Sequence, residues 1–209
     1  MHPERTIAMS NRIHMATLAL MLVVATASWV ATWAQDTQGR ALDSKKKSSP
    51  GGLQFVYPRI KDHGKVVRLP NAVDQPRSRS NICVDVTAGG PWEKTNPAVE
   101  KVARFVNIYA GAGKTSAAVE ITVILHGDAT LTALSAKAYA ARFHLDGNPN
   151  LRLFRKLTDA GVKILVCGQS LTHKGGRQED VAKNVKIAVS ALTVNVNRQM
   201  EGYAFIPLH

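Results

Sequence analysis

Three short apolar runs, separated by segments with helical periodicity, limit this chain to very few architectures. In the first, residues 82–87, Ile82, Val84 and Val86 alternate onto one side of a strand. Residues 119–125 and 162–167 form the second and third runs, and residues 203–208 close the pattern with a last strand. Between the first two runs, Asn96-Pro97 predicts a helix start, because Asn caps free N–H groups and Pro suits the first helical position. Val99, Val102, Val106 and Tyr109 then recur at helical spacing up to Gly111. The Ala-rich residues 130–143 predict one further helix. Asn148-Pro149 repeats the cap-then-proline start, with Leu151, Phe154 and Leu157 inward and Gly161 as the stop. Residues 168–180 read as a polar loop and 185–189 as a short apolar run. A helix follows, with Leu192, Val196 and Met200 expected inward and Gly202 at its end. Strands alternating with helices imply βαβ units. The expected fold is an α/β three-layer sandwich, a mostly parallel central sheet of about five strands with helices on both faces, flavodoxin-like in its double winding.

Residues 1–34 are organised differently. Arg5, Arg12 and His14 precede a nearly uncharged apolar stretch from Met15 to Ala34, which ends at Gln35-Asp36. That order is the grammar of a secretory signal peptide. The apolar stretch, about 20 residues, is also long enough for an uncleaved membrane anchor. Either reading makes the rest of the chain exported, with the periplasm as the expected location. Residues 35–52 carry Lys45-Lys46-Lys47, Ser48-Ser49 and Gly51-Gly52 and read as a flexible linker. Residues 53–80, with Pro58, Pro70 and Pro76, read as an irregular extension or short hairpin ahead of a domain over 81–209.

Outside residues 1–34 the chain keeps a net charge of +11. Apart from the lysine triplet that charge is scattered, so no nucleic-acid partner is expected. Two cysteines, Cys83 and Cys167, cannot close a zinc site, and no metal or cofactor is called for. Gly111-Ala112-Gly113-Lys114-Thr115 mimics the tail of a phosphate-binding loop, but Ile108 stands where that motif needs Gly, and a helix rather than a strand precedes it.

Ligands of such sheets bind beyond the carboxyl ends of the strands. Thr87-Ala88-Gly89, His126-Gly127-Asp128 and Cys167-Gly168-Gln169-Ser170 should therefore meet. Cys167 is the candidate nucleophile, because a thiolate at a strand end can be reached by substrate. His126 is the candidate to take its proton or stabilise the thiolate. Asp128, Gln169 and Ser170 are candidate positioning groups, while His173, Lys174 and Arg177 could add positive potential. Cys83 lies a strand length from Cys167, which argues against a disulfide, and reads as inert core.

Several motifs, in order, resemble the DsrE/DsrF-like family: Asn148-Pro149-Asn150, Ala160-Gly161-Val162, Val166-Cys167-Gly168-Gln169-Ser170-Leu171, Val185-Lys186-Ile187-Ala188 and Gly202-Tyr203. His126-Gly127 and Tyr139 before Arg142-Phe143 agree with it, and the stretch from Gly64 to Pro76 is similar to exported members. The resemblance implies a DsrEFH-type fold, a homotrimer or hexamer, and a cysteine that carries sulfur as a persulfide, the position of Cys167. It implies as partners a thiol-bearing protein or a small-molecule sulfur donor. The characterised relay proteins act in the cytoplasm, whereas this chain reads as exported. The alternative is a non-catalytic oligomeric scaffold of the same fold.

Overall fold

The computed structural model describes residues 54–209, and the readings of 1–34 as leader and 35–52 as linker lie outside the described residues. The elements run β1 (Phe55–Val56), β2 (Val66–Val67), β3 (Ser80–Val86), α1 (Pro97–Gly111) and β4 (Val119–Leu125). A 3-10 segment (Gly127–Ala133), α2 (Ala136–Phe143), α3 (Leu151–Asp159), β5 (Lys163–Cys167) and α4 (Gly168–His173) follow. After a 3-10 turn (Gln178–Asp180) come β6 (Lys186–Ala188), α5 (Ala191–Met200) and β7 (Ala204–Leu208). Five strands form one sheet in the order β6-β5-β4-β3-β7, every pairing parallel. All five carboxyl ends therefore share one edge. The α/β sandwich expected from the alternation of elements is the fold observed.

The sheet is covered on both faces, as an all-parallel sheet requires. Ile82, Val84 and Val86 of β3 join Ile121, Val123 and Leu125 of β4 against α1 and α3. From those helices come Val99, Val102, Leu153, Phe154 and Leu157, each at most 1% exposed. Burying a side chain of this size contributes about 1.5–3 kcal/mol. The other face presents Cys83, Ile124 and Cys167 to Ala191 and Val194 of α5.

Asn96 caps α1 as its sequence position predicts, its side chain accepting from the N–H groups of Ala98 and Val99. The same amide donates to the carbonyls of Ala88 and Gly89. Asn150 accepts from the Asn96 N–H, and Asn148 donates to the carbonyls of Thr132 and Leu134. This buried chain of amides is what Asn148-Pro149-Asn150 does: it fixes the loops above the carboxyl edge.

Three expectations are corrected. Residues 130–143 are not one helix: the chain leaves helical geometry at Leu134 (ψ 147°), and Ser135 restarts it as the cap of α2. The Asn148 amide and an N–H from Ser135 to the Asp180 carbonyl hold that break, so tertiary hydrogen bonds override the alanine propensity. Residues 168–180 are not all loop, because α4 starts directly at Gly168. In α5 the inward residues are Ala191 and Val194, while Leu192 and Met200 are 74% and 82% exposed. Both faces of α5 have helical spacing. The side toward the sheet meets Cys83 and Asp85, where Asn195 forms hydrogen bonds.

The residues before β3 contain the short antiparallel pair β1–β2. Asn107 of α1, fully buried, ties this stretch down: its Oδ1 accepts from the N–H groups of Arg59 and Ile60, and its Nδ2 donates to the carbonyls of Ile60, His63 and Gly64. Gly64 (φ +60°) lies so close to α1 that a Cβ would sit 2.2 Å from the Arg104 nitrogen. Asn107→Ala strands two donors and several acceptors, so it should cost about 2–4 kcal/mol in urea denaturation. A loss under about 0.5 kcal/mol, the scale of neutral surface changes, would mean the amide does not anchor this segment.

Candidate functional site

Cys167 ends β5 and also caps α4, and both roles follow from its position. Its backbone still pairs with Ala188 of β6, and its sulfur accepts the Ser170 N–H at 3.4 Å. Gly168 permits the approach: a Cβ there would lie 3.0 Å from the Ala188 carbonyl oxygen. Burial pushes the thiol up, but the Ser170 side chain and the backbone N–H groups of Ser170, Ala191 and Gln169 outweigh it and hold the thiol below its ordinary value. Ala191 opens α5, so the sulfur sits where the first turns of two helices converge. Only 3% of the residue is exposed, so the thiol is recessed rather than open.

His126 follows β4 and remains in its ladder, its N–H bonded to the Val86 carbonyl. Leu125 pairs with Val166, so the next positions, His126 and Cys167, adjoin across strands about 4.8 Å apart. His126 falls on the α5 face, two residues beyond Ile124, as Cys167 does. Its Nδ1 turns away to Asp85 Oδ1 on β3, 3.4 Å distant. Asp85 Oδ2 accepts from the Asn195 amide of α5 at 2.9 Å. Farther along the same edge, Thr87 Oγ1 meets His209 Nδ1 at 2.8 Å.

The DsrE/DsrF-like family model matches residues 82–208, which take in all of the five-stranded sheet except the first two residues of β3, and the segment that carries Cys167. The chain belongs to the DsrE/DsrF-like family. That family is associated with sulfur relay. A solved protein of unknown function from Methanobacterium thermoautotrophicum is similar at 16% identity, with a TM-score of 0.44 over 62% of this chain and 99% of that one. No curated protein matches.

In this DsrE/DsrF-like domain the remaining candidates separate. Ser170 lies beside the sulfur, and Gln169 offers its N–H to it while its side chain is exposed. Asp128 is exposed and paired with Lys174 at 2.5 Å. Arg177 is spent on Asp180 and Glu179. Lys174 and Arg177 of the basic loop are thus each paired with carboxylates, while the groups that lower the thiol are the Ser170 side chain and the N–H groups of Ser170, Ala191 and Gln169. Asp85 and Asn195 escaped the sequence reading. The signal was present, since Asp85 alternates with Cys83 onto one face of a strand buried on both sides.

Cys83 and Cys167 are both free. Cys83 pairs with Thr122, which pairs with Lys163, four residues before Cys167, so the cysteines are offset by about 13 Å along the strands. An apolar cavity of about 510 Å³ lies elsewhere, between the β1–β2 stretch and α1, with Lys65, Asp74 and Arg104 as its charged residues. Among the described residues no group of three His, Cys, Asp or Glu side chains could hold a metal ion.

Burial pushes Cys83 up to about 11, with Asp85 adding to the rise and Arg198 opposing it. In native protein iodoacetamide should label Cys167 before Cys83, with a pH midpoint below that of a free thiol. Ser170→Ala removes one group that stabilises the thiolate and should move that midpoint upward. An unchanged midpoint would show that Ser170 does not contribute.

Proposed function

We propose that this protein is an exported, periplasmic sulfur carrier or sulfurtransferase that holds a persulfide on Cys167. The observation that carries the reading is the place of the Cys167 sulfur as the cap of α4, accepting the Ser170 N–H at 3.4 Å, since a persulfide anion needs the same stabilisation as a thiolate. The Cys167 thiolate attacks the outer sulfur of a persulfide donor. A bond forms to Sγ, the donor S–S bond breaks, and the donor leaves as its thiolate. A thiol-bearing protein or small molecule then takes the sulfur, and Cys167 departs readily because low-pKa thiolates are good leaving groups. His126 serves this exchange, and Gln169 and Ser170 position the donor. Export rests on the residue pattern of the leader.

The recessed position of Cys167 favours a second reading, a non-catalytic oligomeric scaffold that binds a small ligand or a protein partner. Incubation with a sulfane donor followed by mass spectrometry separates the two. The carrier gains one sulfur atom on Cys167; Cys167→Ser loses the gain and Cys83→Ser keeps it. An intact protein that gains none supports the scaffold.

Both readings include a homo-oligomer, a trimer or hexamer. The support is a stripe formed by Val189, just before α5, and Leu192, Val196 and Met200 on it, which are between 55% and 82% exposed. A contiguous apolar patch of this kind usually has an occupant, and a second copy of the chain is the occupant proposed. Sedimentation should give a trimer or larger, and Leu192→Glu with Met200→Glu should shift it to monomer. A wild-type monomer at micromolar concentration would contradict the assembly.

A further inference from the structure

Asp85 has no part in the chemistry so far, yet it is a carboxylate buried under α5 to 7% exposure. One oxygen is held by Asn195 at 2.9 Å. The other, Oδ1, has no hydrogen-bond partner, and neither has His126 Nδ1, which is also buried; the two face each other at 3.4 Å. Two orphaned buried polar atoms at this separation satisfy each other if Nδ1 carries the proton and points it at the carboxylate. The His126 side chain is 35% exposed although Nδ1 is buried, so the accessible part of the ring lies away from Asp85. Asp85, His126 and Cys167 stand on the neighbouring strands β3, β4 and β5, on the same face.

We infer that Asp85 is a positioning residue that fixes His126 as the Nδ1–H tautomer, leaving Nε2 as the base that activates the thiol accepting sulfur from Cys167. The inference rests on the carrier reading and assigns its discharge step. The acceptor thiol R–SH gives its proton to His126 Nε2, and its sulfur attacks the outer sulfur of the Cys167 persulfide. The new R–S bond forms as the S–S bond to Cys167 breaks, and the electron pair returns to Sγ, where the N–H groups of Ser170, Gln169 and Ala191 receive the thiolate. The proton taken by Nε2 makes an imidazolium beside the Asp85 carboxylate. No oxidant or reductant is consumed. The acceptor is thereby defined as a neutral, weakly acidic thiol, for which a base matters, rather than one already ionised.

The test loads wild type, Asp85→Asn, His126→Gln and the double variant with sulfur and follows discharge to two acceptors. One is 2-mercaptoethanol, largely protonated; the other is an ionised aromatic thiol. Asn at 85 can still accept from Asn195. His126→Gln should slow discharge to 2-mercaptoethanol roughly 10²-fold, the scale of a lost general base, and Asp85→Asn about tenfold. Both should stay within about twofold of wild type with the aromatic thiolate, which needs no base. The double variant should be no slower than His126→Gln alone. Equal losses with both acceptors, or additive losses in the double variant, overturn the assignment. A readout that needs neither variant nor sulfur is the imidazole nitrogen NMR of the wild type: the Nδ1–H tautomer is expected, and a predominant Nε2–H tautomer refutes it. If Cys167 takes up no sulfur the carrier reading fails, while the tautomer still reports on Asp85.

Discussion

Parallel pairing is the constraint from which the other features follow. Because β6, β5, β4, β3 and β7 all run the same way, their carboxyl ends form one edge, and every crossover must leave from it. Helices then begin at that edge, and their first N–H groups have no partners within the helix. At β5 this becomes chemistry, because the next helix starts one residue after the strand stops and α5 begins beside it. The sulfur of Cys167 takes the place of a capping side chain. Residues 167–170 thus form a strand end, a close backbone approach at Gly168 and a set of donors in only four positions.

The two faces of the sheet are unlike for a reason. The α1–α3 face is apolar, its strand residues Ile82, Val84, Val86, Ile121, Val123 and Leu125 all aliphatic, and supplies the main core. The α5 face carries Cys83, Asp85 and Thr122, polar or weakly polar groups that are at most 7% exposed. Burying such groups costs free energy unless they are satisfied. Asn195 meets Cys83 and Asp85 together, but Thr122 Oγ1, Asp85 Oδ1 and His126 Nδ1 remain without hydrogen bonds. A layer optimised for stability alone would be aliphatic here too. Of these unsatisfied atoms, Asp85 Oδ1 and His126 Nδ1 lie toward the carboxyl edge and face each other at 3.4 Å, whereas Thr122 lies farther back along β4.

Much of this was legible in the residues. Strand β4 is found with the limits its apolar run defines, and Asn96-Pro97 starts α1, because both signals are local. The place of Cys167 at the carboxyl edge was readable because strand ends in parallel sheets converge. What could not be read depends on partners distant in sequence. The break at Leu134 is held by Asn148 and Asp180. Helix α4 lacks an apolar repeat, only Leu171 being buried, and its start is marked by a sulfur cap. The orientation of α5 was misread because Leu192, Val196 and Met200 are as helical in spacing as Ala191 and Val194; the polar groups under the helix decide between them. Asp85 looked like one polar letter in a strand until the layer around it was known.

The claim on which the account stands is that the fold itself, through the Ser170 side chain and backbone N–H groups, keeps the Cys167 sulfur ionised more readily than a free thiol. An ultraviolet titration of thiolate absorbance on native Cys83→Ala protein tests it without any substrate, since Cys167 is then the one thiol left. The account predicts a single ionisation with its midpoint below that of an ordinary cysteine, returning toward the ordinary value when the protein is unfolded. A native midpoint at or above the unfolded one would mean that burial outweighs the donors, and the site would then be a buried cysteine in a scaffold.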